Sequence, residues 1–377
     1  MLLMSEILIS FLVLFAVFTL LSNFYKNYRK PMGLDYDNVW VVYYHNPLDI
    51  NDADSLTRYY ENVRQSVLNL PEVKKVSFSS ENYPFSEYTN AVILNSGSNT
   101  NMANNYTVED SYKDLFQIKL LEGRWFGKQD DASRYKPLVI NSTLKEAFFG
   151  NGDAVGKLIT NDGGKTQSMV VGVVEDSKAK GDYQASGTSV FNRIDTASFR
   201  WLDEILVRAS PEAGPDFESK LNKIMANSMK NANLEIERLS DKRKKINDST
   251  LLPMIILLIV ACFLVFNVGL GLFGVLWYNI SKRRGEIGLR RAVGATGGSI
   301  ALQLAGESFI LATFSLIIGV FFAIQFPLLN IFDLPAGVYV TALVLAIVFI
   351  YLLVLICSLY PGKQAAGILP AVALREG

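Results

Sequence analysis

The chain has 377 residues, of which 50% are hydrophobic and 19% are charged. Lysine plus arginine equals aspartate plus glutamate at 36 each, so the overall charge gives no indication of nucleic-acid binding. The hydrophobic residues are concentrated in a few long segments, as in membrane proteins. The single histidine, His45, excludes a multi-histidine metal site.

Four apolar segments are long enough to cross a membrane. The first span lies within residues 1–25, where Ile7 to Phe24 carries no charge. A cleaved signal peptide is the alternative, but Glu6 stands where a basic flank is expected and no small-residue cleavage site precedes Lys26, so we favour an uncleaved span. The other three spans are predicted at 251–280, 301–326 and 339–360. A short outer loop is predicted at 327–338 and a cytoplasmic tail at 361–377.

Residues 26–250 alternate strand-like and helix-like patterns and predict a large α+β extracytoplasmic domain between the first two spans. Val39 to Tyr44 is a candidate strand, and an amphipathic helix is predicted from Asp54 and ends before Pro71. The Asn- and Ser-rich stretch 95–105 is predicted to be a surface loop. A second amphipathic helix is predicted at 216–229, followed by a charged stalk at 234–247.

Residues 281–300 form a compact basic segment between the second and third spans, with five basic residues, one acidic residue and hence a net charge of +4. Short loops of this kind stay in the cytoplasm. Apolar residues among the arginines predict a short amphipathic helix along the membrane surface. Gly294 is expected to end this helix and Thr296 to cap the next one. A plain anchor to anionic lipid is the alternative interpretation of the segment.

The order of residues in this segment, Arg-Arg-Gly-Glu-Ile-Gly-Leu-Arg-Arg-Ala-Val-Gly from Arg283 to Gly294, resembles the signature of the MacB/FtsX family of ABC-transporter permeases. Weaker landmarks in the domain, such as Leu121 to Phe126, and the Pro370 to Arg375 ending are similar to the same family. The resemblance implies a coupling element that docks on a separate ATPase. The residues that it assigns to this contact are Arg283, Arg284, Glu286, Ile287, Arg290, Arg291 and Gly294.

The resemblance further implies a multi-pass permease of the bacterial inner membrane that couples ATP hydrolysis by its partner to movement of the outer domain. Such movement serves efflux or mechanotransmission, with peptides, drugs or lipoproteins as cargo. The chain itself would bind no cofactor, whereas the ATPase partner would use ATP and Mg²⁺. Other implied partners are membrane lipid, a second permease in a homodimer or heterodimer, and a periplasmic adaptor or outer-membrane protein.

A membrane-anchored receptor or scaffold that regulates an extracytoplasmic partner is the alternative function. An extracytoplasmic hydrolase is disfavoured because no nucleophile and base pattern is present. Gly163-Gly-Lys-Thr166 lacks the first glycine of a phosphate-binding loop, since Ile159 stands there, and fits a hairpin turn better.

Within the spans, three glycines predict a small-residue face for helix packing: Gly269, Gly271 and Gly274. Two polar residues, Gln303 and Glu307, lie one turn apart in the third span. Glu307 is expected either to be paired near the cytoplasmic end or to lie in the lipid headgroup region. Both cysteines, Cys262 and Cys357, fall in apolar runs and are expected to be packing residues.

Overall fold

The computed structural model describes residues 2–45, 52–80, 82–161, 166–195, 198–230 and 232–366. The chain divides into two compact units. The membrane unit comprises the residues up to Lys26 and from Thr250 onwards, and the soluble unit runs from Asn27 to Ser249. Residues 163–165 and the C-terminal motif from Pro370, both considered in the sequence, lie outside the described residues.

In the part of the chain that the structure describes, four helices are long and apolar enough to cross a membrane. The predicted architecture, four transmembrane helices with a large domain between the first and the second, is confirmed. With helices numbered in chain order, these four and a short helix are α1 (Leu2–Tyr28), α6 (Leu239–Lys282), α7 (Arg284–Ala292), α8 (Gly297–Leu328) and α9 (Ala336–Ala366).

The helices are longer than the apolar runs from which they were predicted. The first continues to Tyr28, and the second begins at Leu239 instead of residue 251. The last begins at Ala336 and runs through Pro361 to Ala366, beyond both ends of the predicted span at 339–360. An apolar run marks only the part of a helix that suits lipid, whereas backbone hydrogen bonds and caps set where the helix ends. A proline costs one of those bonds and is tolerated in transmembrane helices.

The first helix packs into the centre of the membrane unit. Phe11 is fully buried, and its ring lies on Gly319 of α8, where an added Cβ would come within 2.4 Å of Phe11 Cδ1. One helical repeat further along α1, Phe15 contacts Phe326 edge-on and stacks on Tyr339, with centroid separations of 5.9 and 6.5 Å. The α1 helix is therefore held by close ring packing against both α8 and α9.

The soluble unit contains a four-stranded antiparallel sheet in the order β11-β1-β10-β2. Two helices supply the other half of its core, because alternate residues of β1 (Trp40, Val42 and Tyr44) cluster with apolar residues of both. The chain order strand–helix–strand, twice, gives a ferredoxin-like arrangement. Its elements are β1 (Val39–His45), α2 (Ala53–Leu68), β2 (Val73–Ser80), β10 (Glu204–Ala209), α5 (Phe217–Ser228) and β11 (Asn233–Arg238).

The amphipathic helix predicted from Asp54 is confirmed as α2. Asp52 caps it by accepting a hydrogen bond from the Ser55 backbone N–H at 2.8 Å, which satisfies one of the unpaired donors of the first turn. The apolar positions at helical spacing are buried as expected: Leu56, Tyr60, Val63 and Val67.

Six further strands, inserted between β2 and β10, close into a barrel in the order β3-β7-β8-β6-β9-β4. The barrel core includes Leu94, Ile140, Val170 and Val190. Pairing of Ser79 with Val108 and of Ser80 with Thr107 joins β4 to β2 of the four-stranded sheet. The elements of this part are β3 (Ala91–Ser96), β4 (Asn99–Val108), α3 (Tyr112–Leu115), β5 (Leu120–Gly123), β6 (Lys136–Asn141), α4 (Ser142–Phe149), β7 (Leu158–Asn161), β8 (Thr166–Val174) and β9 (Ser189–Arg193).

One sequence prediction for the soluble unit is wrong, and a second predicted segment is divided between two elements. The stretch 95–105 is not a loop but the end of β3, a tight turn at Gly97 with φ of +60°, and most of β4. The predicted stalk at 234–247 is split between the edge strand β11 and the first turns of α6. In both places, pairing with a neighbouring strand outweighs the polar composition of the segment, because strand formation depends on its partners.

Candidate functional site

The basic segment between α6 and α8 folds as the sequence predicts. The helix α7 occupies residues 284–292, and Gly294 follows it with a φ of +104°, a left-handed conformation that favours glycine. Thr296 then caps α8 by accepting a hydrogen bond from the Ser299 backbone N–H at 3.2 Å. These two local signals fix where the chain turns from one helix into the next.

The amphipathic character of α7 comes from one buried anchor. Ile287 is 6% exposed, and it belongs to an apolar cluster with residues of α6, α8 and α9: Leu276, Ile280, Ile300, Leu304 and Ala365. The other apolar side chains face outwards, with Leu289 54% and Val293 83% exposed. The helix is therefore fixed to the membrane unit on one side and presents apolar surface on the other.

Five polar side chains form a connected network beside this anchor. Arg283 Nη1 donates to both carboxylate oxygens of Glu307, at 3.2 and 3.4 Å, and Gln303 Nε2 donates to Glu307 Oε1 at 3.5 Å. Arg290 Nη1 donates to Gln303 Oε1 at 2.7 Å, while its Nη2 donates to Glu286 Oε1 at 2.5 Å. Two cations and two anions give the network no net charge.

The network joins the residues predicted for the coupling element to the two polar residues predicted within the third span. Glu307 is paired with Arg283, which is the first of the two alternatives considered for it. Arg290 bridges Glu286 of its own helix and Gln303 of α8. A displacement of α7 would therefore strain two polar links to α8 as well as the packing of Ile287.

Two further arginines of the segment, Arg284 and Arg291, differ in exposure. Arg284 is exposed. Arg291 is half-buried, and its Nε has no hydrogen-bond partner among the residues that the structure describes. A buried donor of this kind costs free energy unless water or another chain satisfies it.

The three glycines of α6 do not line one packing face. An added Cβ at Gly271 would lie 2.6 Å from Glu6 Oε2 of α1, and one at Gly269 would lie 3.6 Å from Cys357 Sγ of α9. Among the described residues, nothing lies within 4 Å of the corresponding position at Gly274. At about 100° per residue, Gly269 points away from the other two, so Gly269 and Gly271 serve contacts on different sides of the helix.

Glu6 was used in the sequence only as an argument against a signal peptide. The structure places its carboxylate against α6, where the missing side chain of Gly271 leaves room for it. The signal that could have drawn attention to Glu6 is a charge at the start of an apolar helix. Elsewhere, His45 is exposed, and no group of three metal-ligating residues occurs among the described residues.

Comparison with known proteins gives two family matches that together cover most of the chain. Residues 1–224 match the family described as MacB-like periplasmic core domain, and residues 258–370 match FtsX-like permease C-terminal. An uncharacterised ABC transporter permease of Bacillus subtilis, YvrN, is 27% identical over 285 residues, which is 72% of this chain and 69% of that protein.

A macrolide export ATP-binding/permease protein MacB of Bdellovibrio bacteriovorus is 25% identical over 283 residues, or 71% of this chain. The aligned part is only 43% of that protein, so the chain spans less than half its length. Among solved structures, the periplasmic region of MacB from Actinobacillus actinomycetemcomitans aligns with 59% of this chain and 98% of its own, at 18% identity and a TM-score of 0.41.

Proposed function

The chain belongs to the MacB/FtsX family of ABC-transporter permeases, and on that premise we propose that it couples ATP hydrolysis by a separate ATPase subunit to movement of its soluble unit. The ATP and Mg²⁺ chemistry belongs to the ATPase. The movement would serve export or mechanotransmission, with a peptide, drug or lipoprotein as the cargo class. A second permease chain, identical or related, completes the proposed complex.

The observation that carries this proposal is the two-sided construction of α7. A nine-residue helix with two glycines is too short and too poor in helix propensity to persist alone. Burial of Ile287 and the links from Arg283 and Arg290 to α8 hold it in place. Its exposed apolar residues, Leu289 and Val293, then form a preformed surface for a partner protein.

The polar network supports a path by which docking reaches the membrane helices. A push on α7 would be resisted at four points of α8: Ile300 and Leu304 through packing, Gln303 through its hydrogen bond with Arg290, and Glu307 through its ion pair. Since α6 leads directly into α7, the second and third spans would shift together. We further propose that the spans transmit force without forming a hydrophilic pathway, and that cargo is handled outside the membrane.

The proposed topology places α7 and both chain ends in the cytoplasm and the soluble unit outside, in the inner membrane of a bacterium. The net charge of +4 in 281–300 supports it, as does the absence of basic residues from 327–338. Tyr88 and Val293 are both 83% exposed and provide matched labelling positions in a background without the native cysteines. In intact cells, an impermeant thiol reagent should label Tyr88→Cys and spare Val293→Cys. The reverse pattern would contradict the topology.

The coupling role is tested by copurification of an ABC ATPase with this permease and by the ATP turnover of the complex. We expect Leu289→Ser and Val293→Ser together to weaken the complex at least tenfold, because two exposed apolar contacts of about 1–1.5 kcal/mol each would be lost. The matched control is Lys282→Gln, which removes an exposed charge next to the same helix. The control should assemble as wild type does. If the double variant also assembles as wild type does, the segment is a lipid anchor.

A further inference from the structure

The soluble unit is connected to the membrane unit through two helices. Its boundaries at Asn27 and Ser249 fall inside α1 and α6, so the last residues of α1 and the first turns of α6 belong to the soluble unit. Both helix ends are in contact with one segment between β8 and β9. We call this segment, residues 176–184, the clasp loop.

Two residues of the clasp loop, Lys178 and Tyr183, bind the end of α1. Lys178 is only 3% exposed, and its Nζ donates to the backbone carbonyl oxygens of Asn27 at 3.1 Å and Tyr28 at 3.5 Å. Asn27 in turn donates from Nδ2 to the Tyr183 carbonyl oxygen at 3.1 Å. The last carbonyl groups of a helix lack donors within the helix and carry partial negative charge, so a buried ammonium group fits this position.

The second half of the clasp loop binds the beginning of α6. Asp182 is 5% exposed and accepts two hydrogen bonds from the Arg243 guanidinium, from Nε at 3.0 Å and from Nη2 at 2.7 Å. Asn247 completes the contact, because its Nδ2 donates to Asp182 Oδ2 at 2.8 Å and its Oδ1 accepts from the Asp182 backbone N–H at 2.9 Å. A buried, two-pronged arrangement of this kind tolerates little change in geometry.

The loop is also fixed to the body of the soluble unit. Gly181 has a φ of +93°, and an added Cβ would lie 2.6 Å from Asn247 Oδ1, so the close approach to α6 requires glycine. The Ala179 carbonyl oxygen accepts from the Phe85 backbone N–H at 2.8 Å. Lys180 Nζ donates to two further carbonyl oxygens of the neighbouring loop, each at 2.9 Å. The two helix ends are therefore tied to one rigid segment.

We propose that the clasp loop makes the end of α1 and the beginning of α6 move as one, and that Lys178 and Asp182 are positioning residues that pass a displacement of either helix to the soluble unit. The proposal rests on the proposed function only for the origin of the displacement. The ion pair of Lys245 on α6 with Glu87, at 2.6 Å, contrasts with these buried contacts. Both of its side chains are more than half exposed, and exposed pairs of this kind contribute little.

The mechanical link is tested without any ATPase by hydrogen–deuterium exchange of the full chain in lipid nanodiscs. Asp182→Asn alters a contact to α6, and Lys178→Met alters a contact to α1. We expect each substitution to accelerate exchange about tenfold at both helix ends, residues 24–28 and 243–249, since loss of one charge-assisted contact releases the shared loop. Lys245→Met, the matched control, should leave exchange at residues 24–28 unchanged. Acceleration confined to the helix that each substitution contacts would overturn the proposal.

The link to function is tested in the complex with the ATPase, with distances between the soluble and membrane units followed by spin labels. We expect Asp182→Asn to leave assembly and ATP turnover within about twofold of wild type but to remove most of the ATP-dependent distance change. Arg243→Lys keeps the positive charge but cannot donate the two hydrogen bonds of the guanidinium to Asp182, so it should behave in the same way. Wild-type displacement that persists in both variants would refute the role of the clasp loop. Absence of displacement in the wild type would refute the proposed function and leave the exchange result standing.

Discussion

The polar network leads to an asymmetric prediction for the two partners of its ion pair. Glu307 lies about three turns inside α8, whereas Arg283 stands between α6 and α7. If Glu307→Gln removes the acid, Arg283 keeps a long side chain that reaches water or lipid headgroups. If Arg283→Met removes the cation, the only hydrogen bond that the Glu307 carboxylate keeps among the described residues is the weak one from Gln303 at 3.5 Å.

The magnitudes follow from exposure. An unpaired acid at the centre of a span costs about 2.5–3.5 kcal/mol. Since Glu307 is 39% exposed and not central, about 1–2 kcal/mol is expected for Arg283→Met. Removal of one partner of a half-exposed pair costs about 0.2–1 kcal/mol, which we expect for Glu307→Gln. The double variant should resemble Glu307→Gln alone, because no unpaired acid remains.

Hydrogen exchange of residues 300–308 in nanodiscs measures the local opening of α8. The exchange rate should change about tenfold for each ~1.4 kcal/mol of destabilisation. We expect faster exchange in Arg283→Met than in Glu307→Gln, with rescue in the double variant. Equal effects that add in the double variant would show that the two side chains act independently and would refute the network.

Three further expectations concern packing and pH. Gly319→Ala should destabilise α1 packing by about 1–3 kcal/mol, because the added Cβ meets the buried Phe11 ring, whereas Gly274→Ala should be neutral or stabilising; thermal unfolding compares them. Ile287→Ala should release α7, at a cost of about 2–4 kcal/mol, seen as faster exchange of 284–292. Burial raises the pKa of Asp203 to about 6, so the folded state binds this proton more tightly than the unfolded state does. The free energy of unfolding of the soluble unit, measured by urea titration, should therefore fall as the pH rises from about 4 to 6, and Asp203→Asn should remove that dependence.

Features set by local chemistry could be predicted from the sequence. The α2 helix follows from its apolar spacing, and the end of α7 at Gly294 and the cap at Thr296 follow from residue types that suit those positions. The number of spans follows from hydrophobic length. In contrast, the β3–β4 hairpin was missed because Asn-rich strands gain their stability from pairing partners that the composition does not reveal.

The candidate site was predictable in part. Gln303 and Glu307 lie four residues apart and must share a helix face. Arg283 and Arg290 reach this face because the turn between α7 and α8 places them beside α8 although they are distant from it in sequence. The clasp loop gave no signal of this kind, because Lys178 and Asp182 acquire their contacts only when both helix ends pack against the loop.

The central claim, that ATP hydrolysis moves the soluble unit, is tested most directly by a distance measurement. Trp201 in the soluble unit is 76% exposed and Phe332 between α8 and α9 is 61% exposed, so both positions accept spin labels as cysteine variants in a background without Cys262 and Cys357. In nanodiscs with the ATPase, we predict a distance distribution that shifts when ATP binds and returns after hydrolysis. An unchanged distribution while the complex hydrolyses ATP would contradict the account.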